Sequence, residues 1–187
     1  MSVTPSTMLP LGTPAPDFQL LDVRSGKQMS LDNLKSDIAT VIMFVCNHCP
    51  YVKLIQPKIV EMAKQYQKQG IQFIAISSND VETYPQDGPD EMRKEADAND
   101  FSFPYLFDDR QEVAKAYQAA CTPDFYVFNN KLLCVYRGRF DEATPGNGKP
   151  VTGQDLRLAL DAVIQMKPVN GAQFPSHGCN IKWRKSD

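Results

Sequence analysis

An α/β fold built on a parallel strand–helix–strand crossover is what the sequence predicts, and three stretches predict it. Thr40 to Val45 (TVIMFV) is a continuous apolar, β-rich run, which is how a strand buried on both faces reads. Behind it, Val52, Ile55, Ile59, Met62 or Ala63, and Tyr66 recur at helical spacing until Gly70 stops the run. Ile71 to Ile76 (IQFIAI) reads as a second buried strand. Between the first strand and the helix stands Cys46-Asn47-His48-Cys49-Pro50, a C-x-x-C pair with a histidine inside it and a proline after it.

The other elements follow in order. Asp17 to Asp22 reads as a short strand, Ser25-Gly26-Lys27 as a turn, and Ser30 to Leu34 (SLDNL) as one capped helical turn. Pro50 suits the first turn of the long helix, where its missing N–H costs little. Pro57 lies inside that helix and is expected to kink it. Asn79 to Pro89 is polar and turn-rich, Pro89 to Ala98 a polar surface helix, and the charged stretch from Asp87 to Asp100 reads as solvated surface. Tyr105 to Phe107 is a short strand, and Arg110 to Ala120 a helix with Val113, Ala114 and Tyr117 on one face. Asp124 to Phe128 and Leu132 to Tyr136 are strands joined by Asn129-Asn130-Lys131, a hairpin signal. Gly153 to Met166 is the last helix, with Leu156, Leu160, Val163 and Ile164 inward, and Pro168 ends it. The expectation is one domain over residues 1–187, with an irregular lead-in at 1–16 and a tail at 168–187.

Composition removes several classes of function. A hydrophobic content of 42% supports a real core. A formal net charge of -2 gives no basic footprint for nucleic acid. No run approaches the ~18 apolar residues of a membrane span. The first residues have no charged start and no continuous apolar stretch, so a cytoplasmic location is expected. The basic cluster Lys182-Trp183-Arg184-Lys185 reads as a solvated terminus. Five cysteines (46, 49, 121, 134 and 179) are an odd number and not a structural disulfide framework, so the close pair points to redox chemistry or metal. Cys134, among Leu132, Leu133, Val135 and Tyr136, reads as a small packed apolar residue.

Strand–CxxC–helix–strand, followed by Thr122-Pro123 at the entry to an antiparallel hairpin and then by a helix, resembles the thioredoxin fold. The resemblance implies a central mixed sheet flanked by helices. The opening GTPAPDFQL (Gly12 to Leu20) and the insert between the second strand and the hairpin look like the peroxiredoxin and alkyl hydroperoxide reductase (AhpC/TSA, redoxin) branch, with its N-terminal extension. CNHCPYVK, CTPDFYVF and the terminal GCNIKW are together similar to a peroxiredoxin-like group that carries a thioredoxin CxxC.

Thiol–disulfide exchange needs a thiolate and a second thiol able to expel the mixed-disulfide partner. Cys46 is expected at the helix N-terminus, where the macrodipole favours an anion, as the nucleophile. Cys49, one turn along, is expected to be the resolving thiol. Protein disulfide isomerase and DsbA carry a histidine at the matching place, which implies that His48 donates to the Cys46 thiolate. By the same resemblance Thr122-Pro123 is the cis-proline, holding the Thr122 backbone where an extended peptide could pair. Cys121 lies beside it, either near the pair or as a structural thiol. Cys179 either exchanges with the pair or rides on a tail that packs through Phe174, Ile181 and Trp183.

Departures from the family pattern matter as well. Val45 stands where thioredoxins keep tryptophan, and Thr40 where they keep a buried aspartate. The proton acceptor for Cys49 is therefore open, with Asp124 and Glu61 as candidates. The peroxidatic threonine position is filled by Met43 relative to Cys46, and by Cys46 relative to Cys49.

The function expected is a thiol–disulfide oxidoreductase using the Cys46/Cys49 pair. It would act on a protein or small-molecule disulfide with an electron donor the sequence does not name, and without a cofactor. A thiol peroxidase is one alternative. A copper or zinc module holding metal through Cys46, Cys49 and His177 or Cys179 is the other.

Overall fold

The computed structural model describes residues 3–185. Its main sheet has seven strands, in the order β3 (Gln28–Ser30), β2 (Gln19–Asp22), β6 (Tyr105–Phe107), β5 (Ile71–Ser77), β4 (Ala39–Phe44), β8 (Asp124–Asn129), β9 (Cys134–Gly138). β4, β5 and β6 run parallel, while β2, β3, β8 and β9 are antiparallel to their neighbours. The sheet is mixed, as the fold class requires. β4 lies inside the sheet between β5 and β8, and every residue of it is buried, which is why its sequence is a run without alternation.

Side chains of a strand alternate between faces, and β4 divides the core accordingly. Val41 and Met43 pack with helices α2 (Pro50–Gln67), α3 (Pro89–Ala98) and α5 (Gln154–Ile164). Ile42 and Phe44 pack with α1 (Leu31–Leu34) and α4 (Glu112–Ala116). Ser30 caps α1 through a capping box with Asn33. Helix α2 runs unbroken through Pro57. Among the described residues no helix is long and apolar enough to cross a membrane.

Three expectations need correction. The helix expected over Arg110 to Ala120 is only α4. Gln111 (φ 60) and Gln118 (φ 53) take the left-handed conformation at its two ends, and the Ala119 N–H closes on the Ala114 carbonyl at 2.9 Å. The last helix, α5, starts after Gly153, and Val163 and Ile164 are only half-buried. The hairpin forms at the expected place, but left-handed Leu132 (φ 56) delays the second strand to Cys134.

The lead-in and tail are not merely irregular. β1 (Val3–Pro5), β10 (His177–Asn180) and β7 (Cys121–Thr122) make a second, antiparallel sheet with β10 in the middle. Residues 1–2 and 186–187 of the expected lead-in and tail lie outside the described residues. Ile181 is buried, whereas Phe174 (53% exposed) and Trp183 (39%) lie at the surface against the cations of Arg139 and Lys115. The basic cluster is not simply solvated either. Lys182 is buried, its carbonyl accepts from Asp80 N–H and Gln111 Nε2 (both 2.8 Å), and its N–H donates to Asn79 Oδ1 at 2.8 Å. The tail is thus tied down on both sides of β10, because Ser6 and Ser176 exchange two bonds upstream.

The closest approach in this small sheet is at Gly178, where a Cβ would fall 2.0 Å from the Thr122 carbonyl oxygen. Gly178→Ala is expected to push β10 off β7 and cost about 1–3 kcal/mol, the usual range for overpacking. Urea unfolding of the variant checks this.

Candidate active site

The chain leaves β4 at Phe44, and α2 starts at Pro50 with Cys49 as its N-cap. This corrects the expectation that Cys46 sits at the helix start. A residue before proline is kept out of the helical region, and Cys49 is extended (φ -71, ψ 122). The helix therefore cannot begin any earlier. Cys46 lies in the loop ahead of it, and Cys49 takes the position nearest the free N–H groups.

The cis peptide bond at Thr122-Pro123 is present. It places Thr122 against both sulfurs. Thr122 Oγ1 is 3.5 Å from Cys46 Sγ, and the Thr122 carbonyl is 3.2 Å from Cys49 Sγ, where it can accept the thiol proton. Cys49 Sγ also lies 2.8 Å from Cys179 Sγ. No disulfide links the five cysteines, and all five are buried. Cys121 and Cys134 face carbonyl oxygens (Pro123 at 3.8 Å and Tyr136 at 3.4 Å) and have the surroundings of packed thiols.

His48 Nδ1 lies between a carboxylate and the Cys46 sulfur. Its Nδ1 is 2.5 Å from Asp87 Oδ2 and 4.0 Å from Cys46 Sγ. The carboxylate fixes the proton on Nδ1, and Nε2 is buried without a partner. Tyr84 stacks on the ring at 5.3 Å and 5°. Asp87, fully buried, also accepts from the Asn47 backbone N–H (2.8 Å) and from Asn79 Nδ2 (2.9 Å). Asn47 in turn donates to the Gln86 carbonyl and accepts from Tyr105 Oη.

Asp87 was read from the sequence as solvated surface. It belongs to a short 3-10 turn (Pro85–Asp87) folded over the CxxC loop, and no local hydropathy signal could have found it. Three candidate ligands come within 4.8 Å of one another among the described residues, and they are Cys46, His48 and Asp87. The H-x-C of the tail does not supply them, and His177 is exposed.

The two thiols of the pair are driven apart in acidity. Donation from the Cys46 thiol to the Cys49 sulfur comes first. The Cys179 thiol and the Val52 N–H of the first helical turn add to it, although no capping hydrogen bond of good geometry forms. Together they overcome burial and bring Cys49 down to about 5. The same contact with Cys49, then burial, then the charge of Asp87 push Cys46 well up. The same contact thus acts on the two thiols in opposite directions, lowering Cys49 and raising Cys46. Neither sequence candidate for the proton acceptor fits. Glu61 is exposed on α2 and paired with Lys58. Burial pushes the Asp124 carboxyl up to about 8, and its Oδ2 accepts from the Tyr126 hydroxyl, not from Cys49.

The fold is that of the thioredoxin-like redoxins. Residues 11–137 match the AhpC/TSA family model, and the chain belongs to that family. It is a thioredoxin-like oxidoreductase. No protein of curated function matches the sequence. An uncharacterized conserved protein from Geobacillus kaustophilus is 53% identical, with TM-score 0.98 over 100% of this chain and 99% of that one. A hypothetical protein from Sinorhizobium meliloti 1021 is 45% identical, with TM-score 0.95 over 98% and 100%. A thiol:disulfide interchange protein of the thioredoxin family from Chlorobium tepidum TLS shares the fold at 18% identity, with TM-score 0.60 over 85% and 97%.

If the Cys46 thiol is the main donor to the Cys49 anion, Cys46→Ala raises the pH midpoint of the 240 nm thiolate absorbance. A charge-assisted hydrogen bond of about 1.5–3 kcal/mol corresponds to about one to two pH units. An unchanged midpoint would remove this account of the Cys49 anion.

Proposed function

We propose that the protein is a thiol–disulfide oxidoreductase whose redox pair is Cys46 and Cys49. The observation that carries the reading is the Cys46 and Cys49 sulfurs set together against Thr122 at the start of α2. Cys46 is the substrate-facing sulfur, because it lies beside half-buried His48, while Cys49 is enclosed by Thr122 and Cys179. Passing the Cys46 proton to Cys49, where the Thr122 carbonyl can receive it, puts the anion on Cys46. That thiolate attacks a substrate disulfide, forms a mixed disulfide and releases one substrate thiolate, which takes the proton from Cys49. The Cys49 thiolate then attacks the Cys46 sulfur, closing the Cys46–Cys49 bond and releasing the second substrate sulfur as a thiolate.

A cytoplasmic location and a protein or small-molecule disulfide substrate are part of the same proposal. A glutathione poise of about -220 to -320 mV would keep the pair mostly reduced there.

A second reading, thiol peroxidase, has support from the family itself and from one contact. Thr122 Oγ1 supplies Cys46 with the hydroxyl neighbour that Met43 cannot. In that case the Cys46 thiolate would take one oxygen from a hydroperoxide, becoming a sulfenic acid and releasing an alcohol or water. Peroxide consumption that survives Cys49→Ser but not Cys46→Ser favours it.

A stabilised thiolate stabilises the reduced form and makes the disulfide more oxidising. The pair is expected to titrate above the roughly -270 mV of thioredoxin. Thiol trapping in glutathione buffers measures this, and a value at or below that figure counts against the reading. Cys46→Ala and Cys49→Ala should each abolish catalysed insulin-disulfide reduction.

A further inference from the structure

Five buried cysteines offer an internal comparison. Cys121 and Cys134 are packed apart from the others, while three gather their sulfurs at the start of α2, with Cys49 between Cys46 and Cys179. The Cys49–Cys179 contact of 2.8 Å is well inside ordinary non-bonded sulfur spacing.

The position of Cys179 is not an accident of a loose tail. In β10 it pairs with Thr122, next to the cis-proline, along the edge where an extended substrate peptide was expected to lie. β10 is the middle strand of its sheet. It is anchored upstream by the Ser6–Ser176 exchange and downstream by the bonds to Lys182, and Gly178 lets its backbone approach Thr122 closely. The chain itself thus occupies the peptide edge and delivers a thiol there.

We propose that Cys179 is a third redox thiol of this site, which takes the disulfide over from Cys46 by exchange at Cys49. The inference rests on the Cys46–Cys49 pairing proposed above. In the oxidised protein the Cys179 sulfur attacks Cys49 Sγ. A Cys49–Cys179 bond forms, the Cys46–Cys49 bond breaks, and its electron pair leaves on Cys46. The proton lost by Cys179 ends on Cys46, so no oxidant or reductant is consumed.

The surroundings favour this transfer. Burial and two effects of the reduced Cys49 push Cys179 up to about 12, while the charge of Lys182 opposes them. The two contributions from Cys49 vanish once that sulfur is in a disulfide. Cys46, buried and facing Asp87, is a good resting place for the proton. Exchange leaves Cys46 reduced inside an oxidised protein.

The test uses the full chain as wild type, Cys46→Ser and Cys179→Ser, each oxidised with diamide, capped with N-ethylmaleimide and mapped by non-reducing mass spectrometry. Cleavage after Lys35 and Lys53 keeps Cys46 and Cys49 in one tryptic peptide, while Cys179 falls in another. The Cys46–Cys49 bond therefore stays within one peptide, and a bond to Cys179 joins two. Cys46→Ser is expected to lose both maleimide adducts and give the joined peptides within a monomer. Wild type given one equivalent of oxidant is expected to give both forms, with maleimide on Cys46 in the joined one. Cys179→Ser should still close Cys46–Cys49, which also shows that the oxidant reaches the site.

Full capping of residues 49 and 179 in Cys46→Ser, or a wild type that yields only the single-peptide form, overturns the proposal while leaving the CxxC reading intact. A Cys179→Ser protein that cannot close Cys46–Cys49 defeats the CxxC reading instead, and the exchange with it.

Discussion

Pro50 decides where the long helix begins, and the character of the site follows from that. Proline cannot supply an N–H, and it bars its predecessor from helical geometry, so α2 starts immediately after Cys49. The positive end of a helix amounts to roughly half an elementary charge and fades within a turn. Cys49 is at that end and Cys46 is not. The first cysteine holds its proton through its contact with Cys49, then through burial and the charge of Asp87.

Asp87 is the second constraint. A fully buried carboxylate is costly unless its oxygens are occupied, and this one accepts from the Asn47 backbone, His48 and Asn79. Those bonds pin the loop between the cysteines from the side opposite to Thr122. They also give His48 Nδ1 a carboxylate partner nearer than the Cys46 sulfur. The redoxin insert after β5 therefore helps to build the site, although it carries none of the cysteines.

Much of this was legible in the sequence, and the failures have a common cause. β4, β5 and α2 declared themselves because burial on a large scale imposes apolar runs and helical spacing on the chain. The cysteine pair and Thr122-Pro123 declared themselves by residue type and order. Asp87 did not, because its burial comes from a tertiary contact with a loop 40 positions away and leaves its neighbours polar. β1 and β10 did not, because each is short and pairs with a remote segment, Val3 opposite Cys179. The start of α2 could have been read correctly, since Pro50 and its effect on the preceding residue were both in view.

Cys49 and Cys179 are 130 positions apart in the chain, whereas Cys46 and Cys49 are near neighbours. In the chain-entropy model, a cross-link over a loop of that size removes about 5 kcal/mol of denatured-state freedom, against about 2 kcal/mol for the short loop. Moving one disulfide from the short loop to the long one would therefore staple the tail strand, β10, to the first turn of the long helix. An oxidising equivalent held in that form would be stored partly as resistance to unfolding, and the molecule's redox history would be written into its rigidity.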